Sequence, residues 1–464
     1  MMAVVLHAAA PDLLFYGDGI AHVYVSYGIA LKRPEIYLNG LFEPPLFHFL
    51  LAALFRIFSF SHMIAVALNI ALGFAGIGLC YALARRLFDP AVALAAALFV
   101  ALNPYGTALS LSGVAEPAYA VLLLFFFLAY LSYWRDPTRW PIHLAATAAL
   151  SLAVLTRYEA LGFAACVWVF EARMLLKDRS RPHARMLAFA SFAGPALLMT
   201  IWTCVLHRLA GDAFAWFHVV RGNNLGTPVE NMFWFFFRSL FRAYPVLSFM
   251  ILGLALSALR RPSRLAFDRI PACFALLNLA ALCLVSTVHL GTPQDPRTLW
   301  TPIVVLSPFA AETAVREMRR LFRAPFASLF FFALIAQYLV QSCGTAYSSL
   351  SYEPAPCRSG RELGNVLREL RRLGASIPAN RVACANDTMV SDCEVAAVFS
   401  DIPGMTFLNF TGPSQSLALD RPGFMIRSCG DRIPPIRAHD EIVLKRTETG
   451  RCLIYRPERS RRLE

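Results

Sequence analysis

Residues 62–104 read HMIAVALNIALGFAGIGLCYALARRLFDPAVALAAALFVALNP. Two apolar runs, 62–84 and 88–104, lie on either side of the basic pair Arg85 and Arg86. A helix of about 20 apolar residues crosses a hydrocarbon core about 30 Å thick. Both runs are near this length, so the stretch predicts two membrane spans joined by a short basic loop.

The same pattern repeats along most of the chain. Apolar residues make up 57% of the 464 residues and charged residues only 16%, with a mean hydropathy of +0.53. This composition excludes an ordinary soluble protein. The predicted spans are 62–84, 88–104, 116–134, 142–156, 160–176, 187–207, 240–258, 270–289, 298–314 and 326–342. With the short apolar start of the chain, they predict an all-α polytopic membrane protein of about 10–11 transmembrane helices.

The charges predict which loops face the cytoplasm. The chain carries 43 Lys and Arg against 30 Asp and Glu, a formal net charge of +13. The basic residues cluster in alternate short loops, a pattern typical of cytoplasmic loops rather than of nucleic-acid binding. These loops lie at 85–86, 135–140, 171–185, 260–269 and 316–323. The other loops, and the tail after residue 342, are then outside, in what we expect to be a bacterial inner membrane.

The cysteines support the same orientation. Of eleven cysteines, six follow the last predicted span, and they are Cys343, Cys357, Cys384, Cys393, Cys429 and Cys452. Six cysteines in a soluble tail predict up to three disulfides and an oxidising compartment. A helical pattern at 361–374 precedes short β-rich pieces, EIVLK and RCLIYR. We therefore predict a transmembrane domain over 1–342 and a small extracytoplasmic α/β domain over 343–464.

The first outer loop, about 17–61, contains a short apolar segment. This segment, PLFHFLLAALFRIF at 45–58, has fourteen residues, and a span here would turn every later basic loop outward. A helix lying in the membrane interface is the better interpretation. The residues before it, 1–16, lack the basic start of a signal peptide, so we expect no cleavage there.

Ionisable residues collect on the predicted outer face. Asp18 lies in YGDG at 16–19 with His22 one turn later, while Glu43 precedes two prolines and His48 lies one turn into the interface helix. A charge near hydrocarbon costs about 2.5–3.5 kcal/mol on insertion scales. These residues predict a polar cavity that opens outward. Asp18 and Glu43 also suit helix capping, which is the structural alternative.

Two further stretches carry charge at the same face. Glu116 precedes Pro117 at the start of a predicted span, where capping is again an alternative. The sequence TRYE places Arg157, Tyr158 and Glu159 within about 35 otherwise apolar residues. A plain hairpin favours Gly, Asn or Pro, so this choice predicts an anion site for phosphate at headgroup depth. An Arg157–Glu159 anchor in the interface is the alternative.

Taken in order, these stretches resemble the GT-C class of polytopic glycosyltransferases, which use polyprenyl-phosphate sugars. The class includes protein O-mannosyltransferases and lipid A aminoarabinose transferases. The residues that carry the resemblance are at 17–22, 44–58, 103–119 and 155–163, with a looser match in PQDPR at 293–297. The ordered set extends over about the first 220 residues.

The resemblance implies an inverting displacement on the outer face. Asp18 would take a proton from an acceptor hydroxyl on a lipid, glycan or protein, either alone or with Glu116 as a distant acidic partner. Arg157 and Arg297 would stabilise the departing lipid phosphate. The substrate-binding residues that it implies are His22, Glu43, His48, Arg157, Tyr158, Glu159 and Arg297. The interface helix would border the groove for the polyprenyl tail.

One departure from the class concerns its first outer loop. Many members carry two adjacent acids where this chain has Asp18 and Gly19. Members also differ in needing a divalent metal, and the sequence offers no ligand cluster that decides this. We therefore predict no specific cofactor, and a divalent metal stays an open alternative.

Two other functions fit the composition. A transporter or flippase for a lipid-linked or anionic solute would also gather charges in a cavity, but such proteins usually show internal repeats and broken helices. No repeat is evident in the sequence. A non-catalytic scaffold would tolerate replacement of Asp18 by Asn.

Overall fold

The computed structural model describes most of the N-terminal two thirds of the chain. The described residues are 17–32, 43–177, 184–214, 270–287, 299–321, 363, 365–370 and five short strands between 382 and 456. Two compact units divide the chain. The first comprises 1–14, 41–47 and 67–349, and the second comprises 15–40, 48–66 and 350–464.

The predicted spans within the described residues are helices. The helices are α1 (Gly17–Leu31), α2 (Leu46–Ile57), α3 (His62–Leu87), α4 (Pro90–Ala101), α5 (Pro104–Leu109), α6 (Glu116–Arg135), α7 (Trp140–Val154), α8 (Ala160–Lys177), α9 (Ala184–Ala210), α10 (Ile270–Thr287) and α11 (Trp300–Leu321). Of these, α3, α6 and α9 are long and apolar enough to cross a membrane. This agrees with a multi-pass membrane protein. The predicted spans 240–258 and 326–342 lie outside the described residues.

Local sequence sets where the helices begin. Asp89 caps α4, accepting a hydrogen bond from Val92 N at 2.9 Å, and Pro90 follows at a position where its missing N–H costs nothing. Asn103 caps α5 in the same way, accepting from Gly106 N at 3.1 Å. The predicted single span 88–104 is therefore wrong in one respect. Helix α4 ends at Ala101 rather than at residue 104, and α5 begins at Pro104, because a proline disfavours a helical conformation in the residue before it.

Aromatic side chains form the core of the first unit. The Phe127 ring of α6 contacts Phe163 of α8 and Phe274 of α10, with ring centroids 5.9 and 6.3 Å apart. Small residues bring other helices close together, as is usual for packing in a membrane. A Cβ added at Gly106 would lie 2.4 Å from the Trp300 ring. The core thus joins helices that are far apart in the sequence.

In the second unit, α1 and the part of α2 from residue 48 onward pack on each other. Tyr27 contacts Phe55 and Phe60, with centroids 4.6 and 5.5 Å away. Arg56 Nε donates to Ala30 O at 2.9 Å, near the end of α1 where free carbonyls need a donor. The predicted helix at 45–58 is therefore present as Leu46–Ile57. Its position in the membrane interface stays a prediction.

The tail contains a five-stranded mixed sheet. Its strands are β1 (Val382–Ala385), β2 (Thr406–Leu408), β3 (Gly423–Ser428), β4 (Ile442–Arg446) and β5 (Arg451–Arg456), in the order β2-β1-β3-β5-β4. Strand β1 runs parallel to β2 and β3, whereas β5 is antiparallel to β3 and β4. Residues 442–445 of the predicted β-rich piece EIVLK lie in β4, and RCLIYR forms β5. The disulfides and the extracytoplasmic position of the tail stay predictions.

Two of the six tail cysteines, Cys384 and Cys452, lie in the described strands. Cys384 in β1 is opposite Phe407 and Ile426, and Cys452 in β5 is opposite Arg427. The other four tail cysteines lie outside the described residues.

Candidate functional site

A five-residue corner, 155–159, joins α7 to α8 and carries Arg157. Arg157 N donates to Ala153 O at 2.9 Å, which closes the end of α7, and Ala160 N donates to Arg157 O at 3.1 Å, which opens α8. Leu46 N donates to Leu155 O at 2.9 Å, so the start of α2 is tied to the corner. We call 155–159 the Arg157 corner.

Two carboxylates hold the Arg157 guanidinium. Nη1 donates to Glu116 Oε1 at 2.7 Å, and Nη2 donates to Glu159 Oε1 at 2.8 Å. Nε adds a bond shared between both Glu159 oxygens, at 3.2 and 3.3 Å. The Arg157 side chain is 13% exposed and that of Glu116 only 1%. Glu116, Arg157 and Glu159 thus form a buried charged cluster with one negative charge in excess.

The neighbouring charges keep Arg157 protonated, and burial keeps the phenol of Tyr158 neutral. Burial alone would lower the pKa of Arg157, but Glu116, Glu159 and, more weakly, Glu43 together hold it well above its ordinary value. Burial is the main cause that raises the pKa of Tyr158, and Glu43 and Glu159 add to it. Trp202 Nε1 donates to the Tyr158 hydroxyl at 3.1 Å. Tyr158 is therefore a fixed neutral group beside a fixed cation.

The structure tests the capping alternative for Glu116. Ala115 occupies the cap position of α6 and has no side chain that can cap, while Glu116 is the first helical residue. Its carboxylate is directed to Arg157 instead. The described contacts of Glu116 thus include the pair with Arg157 and no cap hydrogen bond, and its catalytic role stays a prediction.

Arg157 and Glu159 do pair, as the anchor alternative expected. An arginine has five N–H donors, and the contacts with Glu116 and Glu159 use three of them. The other two N–H groups have no hydrogen-bond partner among the described residues. The corner thus retains capacity for one more oxygen ligand, and the phosphate role of Arg157 stays a prediction.

In the second unit, two predicted residues meet in a buried pair. His22 Nδ1 of α1 and His48 Nε2 of α2 are 2.9 Å apart, and both side chains are 3% exposed. This is a hydrogen-bond distance, so one of the two nitrogens carries the proton and donates it while the other accepts. Imidazoles are common metal ligands, but two of them supply only half of the four ligands of a zinc site. The pair therefore does not by itself define a metal centre.

The remaining predicted residues are only partly placed. Asp18 lies in the first turn of α1, four residues before His22, and its side chain is outside the described residues. Glu43 is half-buried just before α2. Arg297 lies outside the described residues, so its predicted role stays a prediction.

Sequence reasoning missed three residues that hold the Arg157 corner and its partners. They are Trp202, which binds Tyr158, Asn278, which binds Glu159 O at 3.0 Å, and Asn69. A signal was present for the two asparagines, because each is a lone amide in the middle of an apolar helix.

Comparison with known proteins supports the resemblance given by the motifs. Residues 42–206 match the family model of dolichyl-phosphate-mannose-protein mannosyltransferases, just over a third of the chain. The matched part includes Glu43, His48, Glu116 and the Arg157 corner. A search among curated proteins finds no match.

Solved structures share the fold over most of the chain. ArnT from Cupriavidus metallidurans, bound to undecaprenyl phosphate, is similar with a TM-score of 0.67 at 13% identity, over 98% of this chain and 96% of ArnT. The apo oligosaccharyltransferase of Archaeoglobus fulgidus is similar with a TM-score of 0.56 at 14% identity, over 90% of this chain and 66% of its own. AglB from the same organism, in complex with an inhibitory peptide and a dolichol-phosphate, has a TM-score of 0.53 at 15% identity, over 87% and 61%.

The resemblance to GT-C glycosyltransferases is therefore confirmed, in the family match and in the fold. Together they indicate a glycosyltransferase.

Proposed function

We propose that this protein transfers a sugar from a polyprenyl-phosphate donor to an acceptor hydroxyl on the outer face of the membrane. The observation that carries the proposal is the buried cluster of Glu116, Arg157 and Glu159, which lies within the part of the chain that matches the mannosyltransferase family. ArnT and AglB share the fold and were solved with undecaprenyl phosphate and dolichol-phosphate. A polyprenyl phosphate is therefore the donor carrier to test.

Arg157 is suited to the departing phosphate. Its two remaining N–H groups offer hydrogen bonds to a phosphate oxygen, and its burial strengthens the attraction to charge that develops as the bond breaks. Glu116 and Glu159 fix the guanidinium in place before the donor binds. The guanidinium is therefore already oriented in the folded protein and does not have to be reoriented during the reaction.

Asp18 is the proposed base. It takes the proton of the acceptor hydroxyl while that oxygen forms a bond to the anomeric carbon, and the bond from that carbon to the lipid phosphate breaks. The sugar configuration inverts, and the phosphate leaves with the bonding electron pair. General-base catalysis of this kind contributes about 10²–10⁴-fold. Glu116, predicted as a distant acidic partner, acts in this scheme through Arg157.

The lipid and the membrane surface explain the exposed face of α2. Phe49 and Leu50 are exposed on this helix, and Ile57 and Phe58 at its end are about 70% exposed. An apolar face of this kind suits contact with acyl chains or with the polyprenyl tail. The basic alternate loops favour placing this face outside the cytoplasm.

A transfer assay tests the proposal. Purified protein is given labelled polyprenyl-phosphate sugars and a cell-envelope acceptor pool, and wild type is compared with Asp18→Asn. Asp136→Asn is the matched control, because it makes the same change at an exposed residue of a basic loop. We expect transfer by wild type and control, and a loss of at least about 10²-fold in Asp18→Asn at unchanged thermal stability. Equal transfer by Asp18→Asn would remove this base, and no transfer by wild type from any donor would contradict the proposed function.

A further inference from the structure

Two buried asparagines lie in apolar helices near the cluster. Asn69 of α3 is fully buried and Asn278 of α10 is 2% exposed. Moving an amide from water to an apolar setting without hydrogen bonds is strongly unfavourable. Each amide therefore needs hydrogen-bond partners, and these partners show which backbone segment the amide holds in place.

Asn278 holds the second half of the Arg157 corner. Its Nδ2 donates to Glu159 O at 3.0 Å. That carbonyl already accepts from Gly162 N at 3.2 Å, so the asparagine is not needed to satisfy it. Gly162 is what allows the approach, because a Cβ added there would lie 2.4 Å from Nδ2. The bond fixes the position of Glu159 relative to α10.

Asn69 holds the segment before Glu116. Its Nδ2 donates to Leu109 O at 3.1 Å and to Val114 O at 2.9 Å. These carbonyls are at the end of α5 and two residues before Glu116, so one amide closes the loop that leads into α6. The start of α6, and with it the Glu116 carboxylate, is thereby set relative to α3.

Both amides leave their oxygen unused. Oδ1 of Asn69 and Oδ1 of Asn278 are buried and have no hydrogen-bond partner among the described residues. A buried acceptor without a partner is destabilising, and an apolar residue of similar shape would avoid that cost. Stability alone therefore does not account for an asparagine at position 278.

We propose that Asn69 and Asn278 are positioning residues that hold the two carboxylate partners of Arg157. Each one binds backbone at the base of a segment that carries one glutamate, and each does so from a different apolar helix. The catalytic part of this inference rests on the proposed function, whereas the geometric part does not. Loss of either amide leaves Arg157 charged and paired but free to shift.

The decisive variant is Asn278→Leu, which removes the donor and the unused acceptor while keeping the same number and branching of side-chain heavy atoms. Glu159 O retains the Gly162 N–H, so we expect the melting temperature to be unchanged or higher. Amide hydrogen exchange at 157–163, measured by mass spectrometry, should become about tenfold faster. The turnover number kcat should fall about tenfold with little change in KM, because a misplaced charge affects the transition state more than binding.

Two further variants keep the test falsifiable. Trp168→Phe is the control, since it removes a bond of the same kind, from Nε1 to Ser191 O at 2.8 Å, further along α8. It should leave both exchange at the corner and kcat unchanged. Gly162→Ala displaces Asn278 without altering it and should reproduce the faster exchange.

The outcomes separate the two proposals. A wild type that transfers no sugar contradicts the proposed function, while exchange in Asn278→Leu against Trp168→Phe still tests positioning. An Asn278→Leu protein that melts several degrees lower, with unchanged exchange at the corner, would show that the amide only packs α10. The same comparison with Asn69→Leu should give faster exchange at 114–118, and unchanged exchange there would overturn the role of Asn69.

Discussion

Arg157 stands between Glu116, the first residue of α6, and Glu159, which lies in the same corner as Arg157 itself. Burying three charges together is stabilising only when each has its partner, because the cost of removing ions from water is large. Removing the cation would leave two buried carboxylates close to each other. Replacing it by another cation would preserve the charge and remove only the planar set of donors.

We expect Arg157→Lys to fold and to lose about 10²-fold in kcat/KM. Lysine keeps the charge but cannot donate from two nitrogens to Glu159 and from a third to Glu116. Arg157→Gln should in addition lower the free energy of unfolding by about 3–5 kcal/mol. Transfer kinetics check the first expectation, and thermal unfolding checks the second.

Arg139→Lys, in an exposed pair with Asp136, is the control and should change stability by less than about 1 kcal/mol. Wild-type kinetics in Arg157→Lys would mean that charge alone is sufficient.

At the scale of helices, the apolar runs of the sequence predicted where the helices lie, but they did not predict which residues of different helices contact each other. A helix in lipid needs about 20 apolar residues, so length alone located α3, α6 and α9. The break between α4 and α5 was also visible in the sequence, as Asn103 before Pro104. The pairing of Glu116 with Arg157 spans 41 residues, and no periodicity links positions so far apart. The sequence predicted which face these residues occupy, but tertiary packing decides their partners.

The first turn of α4 provides a pH-dependent contact. Asp89 accepts from Val92 N and from Arg319 of α11 at 2.9 Å, and these donors lower its pKa, the Val92 N–H most strongly. A carboxyl whose pKa is lower when folded stabilises the protein above its unfolded pKa, about 3.9, and loses that effect as the pH falls through the folded value. We therefore expect the stability advantage of wild type over Asp89→Asn to be constant at neutral pH and to shrink below about pH 4.

Thermal unfolding between pH 3 and 7 in detergent measures this advantage. Because the pair is well exposed and Asn still caps a helix, it should amount to less than about 1 kcal/mol at neutral pH. Arg319→Gln removes the ion pair and leaves the cap intact, so it should retain most of the acid dependence. An advantage for wild type that grows toward low pH would contradict the assignment.

At the scale of the whole molecule, orientation rests on charge and cysteine distribution together. Basic residues fall in alternate loops, and six cysteines follow the last predicted span. Membrane insertion responds to Lys and Arg in short loops, while disulfides need an oxidising compartment. The two signals have different physical origins and agree on one topology.

Reporter fusions check that topology. Alkaline phosphatase joined after Glu464 should be active in a bacterial host, whereas the same reporter joined within the basic loop at 171–185 should be inactive, because the enzyme matures only outside the cytoplasm. A green fluorescent protein at the same two positions should give the opposite pattern. An active phosphatase in the loop at 171–185 would reverse the orientation and place the Arg157 corner on the cytoplasmic side.

The bond from Asn278 to Glu159 O also has a consequence during synthesis. The two residues are 119 positions apart, and a ribosome adding about 5–20 residues per second needs roughly 6 to 24 s to travel between their codons. During that interval the nascent chain contains Arg157 with both glutamates but lacks the amide from α10. A translational pause between these codons would therefore prolong a state in which all three charged residues have been synthesised but Asn278 is not yet present to hold Glu159 in place.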